Sequence, residues 1–78
     1  MTKRHLHNFD GVKELFNEWW KMLKEHHAQL QASGWTEEAW AKVISETGKW
    51  HTSYSVPFAV RLGAVEIVIL QWLRDNDA

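Results

Sequence analysis

The chain has 78 residues, no cysteine, and a formal net charge of −1 with a pI near 6.5. That length makes one domain, and the missing cysteines rule out a disulfide framework and thiolate zinc sites. The interspersed charges give no general attraction to nucleic acid. A core this small supplies only about 3–5 kcal/mol unless it is stapled, and the staple still open to this chain is another chain.

Residues 1–8, MTKRHLHN, are polar and without a period, and are expected to form a flexible N-terminal arm ahead of a single helical domain over residues 9–78. The arm lacks the apolar core of a signal peptide, so the expected compartment is the cytoplasm. A first helix is predicted over about residues 9–32. Val12, Leu15, Phe16, Trp19, Met22, Leu23 and Leu30 recur at steps of three and four, with Lys13, Glu14, Asn17, Glu18, Lys21, Lys24 and Glu25 opposite them. Asn8 or Asp10 can cap its start, and Gly34 can end it in a left-handed conformation. Trp20, His26 and His27 fall on the flanks of the apolar stripe, where a ring can be buried while its polar tip reaches outward.

A second helix is predicted over residues 36–52, capped by Thr36 with Glu37 and Glu38 in the first turn. Trp35 and Trp40 have the spacing of a hydrophobic staple. Gly48 could stop this helix, but Trp40, Val43, Ile44, Thr47, Trp50, His51 and Tyr54 keep their phase across it, which favours continuation.

Pro57 disfavours a helical Val56 and fits the first turn of a third helix, predicted over residues 56–74. Its sequence, VPFAVRLGAVEIVILQWL over residues 56–73, holds 11 of the chain's 28 large apolar or aromatic residues. Within that stretch only Arg61, Glu66 and Gln71 are strongly polar, and Arg61 and Glu66 stand about 140° apart around a helix. Such a rod needs covering on most sides. Its two internal charges argue against a membrane span. The fold expected is therefore an all-α, three-helix domain that forms a homodimer through the third helix. Ala59, Gly63, Glu66, Ile67 and Leu70 are the expected dimer contacts, because the small residues Ala59 and Gly63 let a neighbouring helix come close.

Chemistry-bearing motifs are absent. His5 and His7, or His26 and His27, do not have the i, i+4 spacing that puts two imidazoles on one metal, so neither a metal site nor a cofactor is expected. No phosphate-binding glycine loop or nucleophile with its base is present, and the protein is expected not to be an enzyme. Glu66, in the middle of an apolar helix, calls for a partner. Pairing with His26, His27 or His51 would make stability depend on pH near neutrality, whereas an edge position, or a salt bridge such as one to Arg61 of a second chain, would be purely structural.

Six tryptophans point to protein–protein contact, since Trp is a frequent interface anchor. The candidate patch is Trp35, Lys49, Trp50, His51 and Tyr54, although Trp50 and Tyr54 could equally extend the second helix's buried stripe. The function expected is a non-enzymatic adaptor, regulator or small inhibitor of the kind mobile elements encode. The alternative is a nucleic-acid-binding regulator. The stretch from Val43 to Leu62 has a faint helix-turn-helix look, but its second helix offers only Arg61 to bases.

Overall fold

The computed structural model describes residues 8–76. Apart from Asn8, the expected arm, with Lys3, Arg4, His5 and His7, lies outside the described residues. Three α-helices follow one another: α1 Phe9–Ser33, α2 Glu37–Thr52 and α3 Pro57–Asn76. The all-α, three-helix reading holds, and no strand occurs among the described residues.

Each boundary has a local cause. Asn8 is extended, and its side-chain oxygen accepts from the Gly11 amide at 3.0 Å, satisfying one of the orphan donors at the start of α1. Gly34 ends that helix with φ +74°, returning its amide to the last-turn carbonyls of Gln31 and Leu30. Trp35 is also left-handed, at φ +62°, a conformation that costs an L-residue about 1–2 kcal/mol. Its ring packs 6.1 Å from both Trp40 and His27, centroid to centroid, so the expected staple forms. The Thr36 hydroxyl caps α2 through the Ala39 amide at 3.3 Å. The helix runs unbroken through Gly48 to Thr52, where the Ser53 hydroxyl donates to the Trp50 carbonyl at 2.6 Å. Pro57 opens α3, which ends at Asn76, two residues past the expected boundary.

Leu15, Tyr54 and Ala59 form one buried cluster, and Leu23, Leu30, Val43 and Leu70 form another. These pairings set the start of α1 beside the start of α3 and its end beside Leu70, so α1 and α3 run parallel with α2 reversed between them. The Trp19 indole donates to the Leu62 carbonyl at 2.9 Å and ties α1 to α3. Against α2, Gly63 makes the close approach. A Cβ built there would stand 3.2 Å from the Thr47 methyl and 3.4 Å from a His51 ring carbon.

Candidate interaction surface and buried polar junction

Between the two apolar clusters lies a polar junction with one side chain from each helix. Glu66 of α3 is wholly buried. Its Oε1 accepts from the Thr47 hydroxyl of α2 at 2.6 Å, and its Oε2 lies 2.7 Å from Nδ1 of His26 on α1. The other ring nitrogen of His26 is 3.8 Å from the Glu46 carboxylate of α2. Of the three histidines expected as partners for Glu66, the fold selects His26.

Burial is the largest single influence on the His26 pKa, and it lowers it. The hydrogen bond to Glu66 and the negative charges of Glu66, Glu46 and Glu25 together outweigh it, so the pKa is raised above the ordinary 6.5. A charged His26 facing Glu66 across the core is a hydrogen-bonded buried ion pair, the arrangement in which losing either member leaves the other uncompensated. The close approach at Gly63 lets α2 deliver Thr47 to this point.

This burial redirects the surface expected from the sequence. Ala59, Gly63, Glu66 and Leu70 are buried against α1 and α2 of the same chain, and Ile67 is half-buried. The chain's own helices therefore cover the face on which a second copy was expected. The physical reason lies in α3 itself. Apolar on nearly all sides, it carries no periodicity that could tell inner from outer, and Gly63 and Glu66 fit only the α1–α2 side.

The candidate patch also changes. Tyr54 is a core residue, its hydroxyl donating to Glu18 and its ring 5.4 Å from that of Trp50. Trp35, Trp50 and His51 are half-buried and Lys49 is exposed. Tyr54 thus extends the buried stripe, Trp50 and His51 lie near Lys49 at the end of α2, and Trp35 stands apart from them at its start, against Trp40 and His27. Nε1 of Trp50 and Nδ1 of His51 are buried without a hydrogen-bond partner.

The apolar surface lies elsewhere. On α3, Val60, Val65, Val68 and Trp72 are 52, 45, 62 and 61% exposed and share the outward side with Arg61, Ala64 and Gln71. A groove of about 290 Å³ between α2 and α3 adjoins this side, lined by Ile44, Gly48, His51, Val60, Ala64 and Ile67 among others. On α1, the exposed rings of Phe9, Phe16 and Trp20 fall within about 40° of one another around the helix. Sequence reasoning missed both stripes, although the apolar surplus of α3 signalled that one of its sides must stay outside.

Among the described residues, no group of three His, Asp or Glu side chains is placed to hold a metal ion, and no helix is long and apolar enough to cross a membrane. Compared with known proteins, the chain matches no family model, no curated protein and no solved structure.

Proposed function

We propose that this protein is a non-enzymatic interaction module that works in the cytoplasm, first by self-association through the outward side of α3 and then by presenting a rigid helical surface to another protein. One observation carries this reading. Among the described residues, seven of the eight large exposed apolar side chains are gathered into stripes, four on the outer face of α3 and three on α1, and the eighth, Ile44, lines the adjoining groove; scattered single exposures would mean nothing. A helix face of this kind is the element that helix-in-groove recognition uses. The α1 stripe, with Phe16 and Trp20 beside Lys13 and Lys24, supplies the aromatic anchors typical of a protein contact. A regulator or small inhibitor acting by occupation of its target's surface needs nothing more than this. The nucleic-acid reading has less support, because the outer face of α3 offers Arg61 amid valines where a recognition helix needs several base-reading side chains.

Light scattering over a concentration series tests the proposal. The expected outcome is a dimer that Val65→Glu converts to a monomer, with the far-ultraviolet helical signal unchanged. A native chain that stays monomeric at every concentration defeats self-association.

A further inference from the structure

Resting on the reading that α3 self-associates, we infer that two copies pack α3 against α3 in antiparallel fashion, about a twofold axis at Val68, with Arg61 of each copy paired to Asp75 of the other. Arg61, Val68 and Asp75 recur at steps of seven, and Ala64, Val65, Gln71 and Trp72 fill the intervening steps of three and four. Every one of these residues is exposed. Together they make a seam of the spacing by which two helices interlock.

The seam carries charge of opposite sign at its two ends. A parallel pair would set Arg61 against Arg61 and Asp75 against Asp75, whereas an antiparallel pair joins opposite charges twice by symmetry. Arg61 has no ion-pair partner among the described residues. Among those residues Asp75 meets only its exposed neighbour Arg74, at 3.2 Å, a contact of the kind worth little in water.

Shape agrees with charge. With Val68 on the axis, Trp72 of each copy stands opposite Ala64 of the other. The largest exposed apolar side chain of α3 then meets the smallest, and Ala64 is also where the groove between α2 and α3 opens. An indole entering there covers Val60 and approaches Gly48 and Ile44, adding exposed apolar area to the contact.

Single cysteines in the full chain test this geometry, and the native sequence contributes no thiol of its own. Val68→Cys should form an intermolecular disulfide under mild oxidation, because the axis brings the two copies of that position within bridging distance. Arg61→Cys alone should not, since its two copies lie about 21 Å apart along the antiparallel pair. An equal mixture of Arg61→Cys and Asp75→Cys chains should cross-link to one another. Arg61→Asp and Asp75→Arg should each weaken the dimer roughly tenfold, and the two changes in one chain should restore it. A dimer by light scattering in which Arg61→Cys cross-links with itself, or Val68→Cys fails to, overturns the antiparallel pairing and leaves self-association standing. A native chain that is monomeric throughout overturns both.

Discussion

The two sides of α3 invert the usual rule. Its inner side buries a carboxylate, Glu66, and its outer side exposes three valines and a tryptophan. The inner arrangement is affordable because His26 and Thr47 satisfy both carboxylate oxygens, one from each neighbouring helix. The outer arrangement has no such compensation among the described residues. Exposed apolar area in a continuous stripe is a free-energy cost that association removes. The contrast teaches that α3 is placed by its small and polar residues, while its apolar residues serve equally well on either side.

Breaking the inner junction should have the largest effect. His26→Ala leaves Glu66 buried without a counter-charge, with Thr47 as its remaining partner, and should cost about 3–5 kcal/mol in urea unfolding. Replacing the junction as a whole, with His26→Leu, Thr47→Val and Glu66→Leu together, should cost far less or even stabilise, since no charge is then stranded. Next comes Gly63→Ala, whose Cβ would crowd the Thr47 methyl by a few tenths of an ångström while the hydroxyl of Thr47 is held in place by its bond to Glu66. A loss of about 1–3 kcal/mol is expected from the same measurement.

The junction also sets a pH dependence. The folded-state pKa of His26 is raised, so the stability contributed by its charged form is complete below pH 6.5 and is lost as the pH climbs through the raised value. The melting temperature should fall across that window, and the fall should vanish in His26→Gln. A native curve that is flat or rising there would contradict the charged pair.

Gly48 is the counterpart of Gly63, since a Cβ there meets nothing within 4 Å. Gly48→Ala should therefore stabilise α2 by about 1 kcal/mol in thermal unfolding. The smallest effect belongs to the outer side. Val68→Ala should change the stability of the isolated subunit by no more than about 0.5 kcal/mol, whereas Leu70→Ala, two residues along and fully buried, should cost about 2–5 kcal/mol. Denaturation of dilute protein distinguishes the two.

Much of the fold was legible because it rests on local signals. Asn8, Gly34, Thr36 and Pro57 mark helix ends through bonds and dihedral limits that span only a few residues. The unbroken phase across Gly48 reported the continuity of α2. The need of Glu66 for a partner was also visible, since an isolated carboxylate in an apolar run is too costly to bury alone. Which histidine answers it was not, because His26, His27 and His51 are each on an element whose rotation is settled only by packing. The same holds for Tyr54, whose place at the end of the apolar stripe of α2 fitted core and contact surface alike.

By itself, then, the sequence determined three helices, where they start and stop, and an excess of apolar side chains that three helices of this length cannot all enclose. Tertiary structure alone decided which side of α3 looks inward. That choice turned on Gly63 admitting Thr47 and on Glu66 finding His26, contacts between residues far apart in the chain that no local pattern encodes.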